Sequence, residues 1–184
     1  MLISILGAIA LNRGIEGGES LALSSGFVLS FEAIALPSIF FITAFRFLPG
    51  NLAHLGELGE TEGTTPYIWL YDLAVIMIES LLCIPMAKLS YSNGRGFFVL
   101  LVILLMLDGL WILTMIPQWK KGQRPEPPVY WAVLNVGSAF LLVSSLLVHL
   151  PFDALSLPGL LMFTLVFWIV GLTDIVKSAK KWFG

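Results

Sequence analysis

The chain has 184 residues, 58% of them apolar and only 12% charged, with a formal net charge of −2. A soluble domain carries about a quarter charged residues, and half that amount cannot cover the surface of a soluble protein of 20.2 kDa. The chain therefore reads as an all-α, polytopic integral membrane bundle, and the slight negative charge argues against a nucleic-acid partner.

Met1–Leu11 is apolar but short, lacks a basic leader of the kind that marks a cleavable signal peptide, and runs into the polar Asn12–Glu19 stretch. Residues 1–20 are expected to lie in the membrane interface. A helix needs about 20 mostly apolar residues to cross the hydrocarbon, and five stretches qualify: approximately 21–48, 67–90, 96–119, 130–150 and 159–177. Four spans remain possible if one of these runs lies flat. The first stretch is long enough to tilt or to bend at Pro37. Ala22, Gly26 and Ser30 form a small-residue face along it that suits close helix approach. Pro49 and Gly50 then read as a helix stop, with Asn51 as the cap of a short helix in the following loop.

Cytoplasmic ends attract Lys and Arg. With five spans one side collects Arg46, Lys120, Lys121, Arg124, Lys177, Lys180 and Lys181, and the other Arg13, Lys88 and Arg95, seven against three. The C-terminus is thus expected in the cytoplasm. Tyr67, Trp69, Trp119, Tyr130, Trp131 and Trp182 fall near span ends, where amphipathic rings belong.

Five of the twelve acidic residues fall inside spans: Glu32, Asp72, Glu79, Asp108 and Asp174. A carboxylate at the bilayer centre costs at least ~2.5 kcal/mol on insertion scales, so such groups must be protonated, share protons, hydrogen-bond across helices, bind a cation or face water. Glu32, Glu79 and Asp108 lie near mid-span with no basic residue expected at their depth, and are the candidates for ion- or proton-linked work. Glu79 and Asp108 are on consecutive antiparallel spans joined by a short turn, so they are expected to face one another and to share a proton or a cation. Asp72 is expected to pair with Arg46, and Asp174 with Lys177 three residues on; both are read as mainly structural.

On the fourth span Asn135, Ser138, Ser145 and His149 share a face. Such a stripe either lines a hydrated path or bonds to other helices, and packing is the commoner use. The loop after Arg46 gathers Asn51, His54 and Glu57; with Lys120, Lys121 and Arg124 of the third loop it forms a candidate docking surface for a soluble cytoplasmic partner. One histidine beside one glutamate is weak evidence for metal, and neither metal nor cofactor is expected.

Cys83 is the only cysteine, which excludes an internal disulfide or a cysteine-ligated cluster. No G-x-S-x-G, H-E-x-x-H, phosphate loop or C-x-x-C is present. An intramembrane aspartyl enzyme would also pair two acids across helices, but no flanking motif supports one, and the chain is expected not to be an enzyme. The expected function is an ion- or proton-linked channel or sensor, oligomeric if it conducts because five spans leave little room for a pore. The alternatives are a non-catalytic anchor or sensor working with a soluble partner, as in bacterial stress or anti-phage systems, and an accessory subunit of a larger membrane complex.

Overall fold

A computed structural model of the chain describes residues 2–24, 31–123, 129–147 and 156–183. The described residues form six helices and no strand: α1 (Leu2–Ser24), α2 (Phe31–Glu60), α3 (Pro66–Ser92), α4 (Gly94–Trp119), α5 (Val129–Leu147) and α6 (Leu157–Phe183). Five are long and apolar enough to cross a membrane: Ile34–Glu60 of α2, all of α3, α4 and α5, and Leu157–Lys177 of α6. Their flanks carry the exposed apolar side chains that lipid requires, among them Leu70, Leu110, Phe140, Leu165 and Ile169.

The last four spans match the sequence reading to within a few residues. Pro66 opens α3, where its missing N–H costs nothing. Between α3 and α4 only Asn93 is non-helical, and its side chain accepts the Gly96 N–H at 2.9 Å to cap α4.

The first span differs. Residues 21–24 end α1, and α2 runs straight through Pro37 and Pro49 to Glu60. Pro49 removes one ladder donor, yet the turns beyond it bury Asn51 and Leu58 against the bundle. Tertiary packing outweighs the local stop signal. Phe47, Asn51, His54 and Leu58, at offsets 0, 4, 7 and 11, form one inward stripe across that proline. Arg46 consequently lies at the middle of α2, not at its end. Ala22 has no described side chain, and Gly26 and Ser30 lie outside the described residues.

α1 packs on α3 and α2. Gly7 lies against Leu48 and Gly14 against Phe40, so α1 runs antiparallel to α2 and lengthwise along it. α4 packs on α3 and on α5, while α6 docks on α2.

The interior divides into two halves. One is apolar: Ile39 and Phe40 of α2, Met86 of α3, Phe97, Phe98, Leu101, Leu104 and Leu105 of α4, Leu142 of α5 and Phe163 of α6 are all sealed from solvent. The rings of Phe98 and Phe163 meet at 6.0 Å. The other half, toward the α2–α3 and α4–α5 connections, holds nearly all the buried charge. There Thr64 Oγ1 donates to the Leu58 and Gln123 carbonyls at 3.1 and 3.2 Å, tying the two connections together.

Candidate functional site

Three buried centres fill the polar half. The first joins α2, α5 and α6. Arg46 Nε donates to Asp174 Oδ2 at 2.5 Å, with both side chains almost wholly buried. Tyr130 Oη donates to Asp174 Oδ1 at 3.2 Å, and Trp131 Nε1 donates to the same oxygen. The guanidinium also lies over the rings of Phe47 and Trp131, at 5.3 and 5.9 Å. This centre replaces the expected Arg46–Asp72 pair. Arg46 projects from mid-helix toward α6, and Asp174 turns inward while the exposed Lys177 lies 5.2 Å from the Tyr130 ring. Tyr130 keeps its rim position; Trp131, expected there too, is drawn inward by Asp174.

The second joins α2, α3 and α4. Asp72, fully buried, accepts the Trp111 indole N–H at 2.8 Å and lies 3.0 Å from His54 Nε2. The His54 and Trp111 rings pack edge to face at 5.1 Å. His54 is therefore a half-buried partner of Asp72 and not a loop residue, and only 12% of its side chain is exposed.

The third crosses α2, α3, α4 and α5 at mid-bundle. Asn51 Nδ2 donates to Glu79 Oε2 at 2.7 Å, and Asn135 Nδ2 donates to Asp108 Oδ2. The Glu79 and Asp108 side chains lie close enough for each to act on the other's charge. Each is 1% exposed. The second oxygens, Glu79 Oε1 and Asp108 Oδ1, have no hydrogen-bond partner among the described residues, and neither does Asn135 Oδ1. Two carboxyl groups so close in a site closed to water cannot both stay charged. The chain order Asn51–Glu79–Asp108–Asn135 thus brackets an acid pair with one amide on each side.

Close approach of α4 and α5 makes this possible. A Cβ at Gly109 would meet Val136 Cγ2 at 2.7 Å and the Ala132 carbonyl at 3.5 Å. Glycine at this position lets α5 come close enough for Asn135 to reach the neighbouring Asp108.

The three centres differ in compensation. Asp174 has a guanidinium and two aromatic donors; Asp72 has an indole and an imidazole. Glu79 and Asp108 have one neutral amide each and otherwise only one another. Arg46 is close enough for its charge to act on both, but its donors are directed at Asp174.

Other candidates fall elsewhere. Ser138 and Ser145 are buried on the inner face of α5 as the stripe requires, with Ser145 Oγ unpartnered. Glu57 is half-buried near the end of α2, and Lys120 and Lys121 are exposed in the turn after α4. Asn51 and His54 leave the expected docking surface because α2 carries them inside. The Glu32 side chain, Arg124 and His149 lie outside the described residues. Trp111 and Gly109 are contributors that residue-type reasoning passes over. Trp111 sits three residues beyond Asp108, on the same helix face, which is the available signal.

No family model, no curated protein and no solved structure matches the chain.

Proposed function

We propose that the protein is a membrane-embedded proton or monovalent-cation sensor whose binding element is the Glu79–Asp108 pair. The observation that carries this reading is the pair's contact at mid-bundle with unpartnered oxygens and no cation of its own. Even with His54 counted as charged, the buried basic groups described in the polar half, Arg46 and His54, face four carboxyls: Asp72, Glu79, Asp108 and Asp174. Their contacts commit Arg46 to Asp174 and His54 to Asp72. The remaining pair must take its neutralising charge from outside the protein as a proton or a small cation.

The sealed apolar half supports sensing over conduction. An ion reaching Glu79 from the polar half meets Phe97, Phe98, Leu101 and Leu105 on the other side, where the buried polar side chains described, Ser90, Ser138 and Ser145 among them, carry no charge. The site lies within one chain, so the reading needs no pore between copies. The sequence charge balance remains six against three once Arg46 is placed inside the bundle: Lys120, Lys121, Arg124, Lys177, Lys180 and Lys181 against Arg13, Lys88 and Arg95. It favours a cytoplasmic C-terminus and therefore access from the cytoplasm. Binding at the pair changes the charge between α3 and α4, and the ends of these helices away from Asn93 adjoin the surface residues Glu60, Glu62, Lys120 and Lys121. A soluble partner docking there would read the change.

Proton uptake by the purified protein, followed with a pH-sensitive dye, tests the reading, together with conductance of the protein in liposomes. Wild type should exchange at least one proton more than Glu79→Gln or Asp108→Asn, and neither should conduct. Unchanged uptake in both variants would sink the proposal. So would a steady current that Glu79→Gln abolishes, since that is the behaviour of a channel.

A further inference from the structure

The opposite end of the bundle carries a second feature, independent of the acid pair. Arg95, in the first turn of α4, is exposed and makes no ion pair among the described residues. Lys88, near the end of α3, is likewise exposed without one. Two surface grooves converge on Arg95. The first, about 460 Å³, runs between α3 and α4 past Leu89, Gly96 and Leu100. The second, about 290 Å³, runs between α4 and α5 past Val102, Val143 and Leu146. Arg95 and Val99 line both.

The grooves are almost wholly apolar below the arginine. Arg95 to Ile103 is eight residues, about 12 Å along the helix, so the second groove descends from the span end well into hydrocarbon depth. At the top, the Asn93 side chain and carbonyl take the N–H groups of Gly96 and Phe97. That leaves the first N–H groups of α4, on Gly94 and Arg95, at its positive end. A guanidinium with no ion pair among the described residues, a helix N-terminus and two apolar channels diverging from one point match a ligand with one anionic head and two tails.

We infer that Arg95 and its two flanking grooves form a specific binding site for an anionic diacyl phospholipid. The phosphodiester accepts hydrogen bonds from Arg95, with Lys88 adding charge, and one acyl chain follows each groove. Arg suits this role because its planar fork matches phosphate oxygens.

The test uses the full chain in vesicles of phosphatidylcholine alone and of phosphatidylcholine mixed with phosphatidylglycerol of identical acyl chains. The mixed vesicles should raise the thermal midpoint by several degrees, as a ligand specific to the folded state does. Arg95→Gln should erase that rise. Lys120→Gln with Lys121→Gln, at the other end, should retain it, which separates the site from general surface attraction. Val99→Trp fills the root of both grooves and should weaken phosphatidylglycerol retention in native mass spectrometry with Arg95 intact. Inorganic phosphate on the detergent-purified protein should give no rise. A full response in Arg95→Gln overturns the inference. So does full lipid retention in Val99→Trp, or a rise with phosphate alone, because the grooves would then be dispensable.

Discussion

Replacing Arg46 by methionine tests the architecture of the polar half most directly. Arg46 and Asp174 form a buried ion pair at 2.5 Å, joining helices that are far apart in the chain. Methionine retains most of the side-chain volume, so the change isolates the charge. Asp174 keeps the Tyr130 and Trp131 donors but loses the guanidinium. Removing one partner of a buried pair costs about 3–5 kcal/mol, because the other is left uncompensated. The guanidinium contacts with Phe47 and Trp131 are lost as well, at about 0.5–2 kcal/mol apiece. Arg46→Met should therefore fall in the upper part of the 3–5 range. Asp174→Leu, which strands the arginine, should cost a similar amount. The double variant removes both charges and should cost less than either single change, since an apolar substitute for a buried pair is often neutral or better. Unfolding in mixed micelles with increasing denaturing detergent, followed by tryptophan fluorescence, gives the three free energies. Single costs below about 1 kcal/mol, or costs that simply add in the double variant, would show that Arg46 and Asp174 do not act as a pair.

Gly109→Ala should destabilise by about 1–3 kcal/mol through overpacking, because its Cβ meets Val136 at 2.7 Å; Gly137→Ala, with open space around it, should be neutral or slightly stabilising in the same assay. Trp111→Phe leaves Asp72 Oδ1 short of its 2.8 Å donor and should cost about 1–3 kcal/mol, with a smaller effect if His54→Gln is already present. Glu79→Lys should pair with Asp108 and be better tolerated in expression and detergent stability than Leu105→Lys, whose site is wholly apolar; equal failure of the two would count against the pair. A cysteine at Gly122 should react only from the cytoplasmic side and one at Ser92 only from outside, against the low background of the buried Cys83; the reverse pattern would invert the charge argument.

The sequence made the spans legible because hydrocarbon thickness imposes a length that apolar runs must meet. The meeting of Glu79 with Asp108 was legible for a related reason. Their helices are joined at a single non-helical residue, Asn93, so chain continuity forces antiparallel neighbours with these two acids at matching depth. What stayed hidden lay between helices remote in sequence. Asp174 has Lys177 beside it in the chain, and nothing local indicates that α6 docks on α2 rather than serving as a rim. The Pro49-Gly50 step hid more. Taken as a stop, it placed Arg46 at a helix end opposite Asp72, and put Asn51 and His54 in a loop. Taken as two residues inside a helix, it leaves Phe47, Asn51, His54 and Leu58 in register on one face, and that face supplies partners to both Asp72 and Glu79.

That extension of α2 also explains why the polar half can exist in a chain with so few charges. Each buried carboxylate needs donors, and α2 past Pro49 provides two of them from one helix face, at residues 51 and 54. A helix ending at Leu48 would leave Glu79 without an amide and Asp72 without an imidazole. Arg46, three residues before the proline, then stands between the apolar and the polar halves, held to α6 by Asp174 and within electrostatic reach of Glu79 and Asp108. Any charge taken up by the acid pair is felt first at this arginine. The link from α2 to α6 is the element whose strength depends on it, so a response to binding at the pair should emerge as motion of α6 relative to α2. A spectroscopic distance between labels at Phe45 and Leu172, both exposed, should change on proton uptake in the wild type and stay fixed in Glu79→Gln. A distance that does not move in the wild type would leave the acid pair uncoupled from the Arg46–Asp174 ion pair.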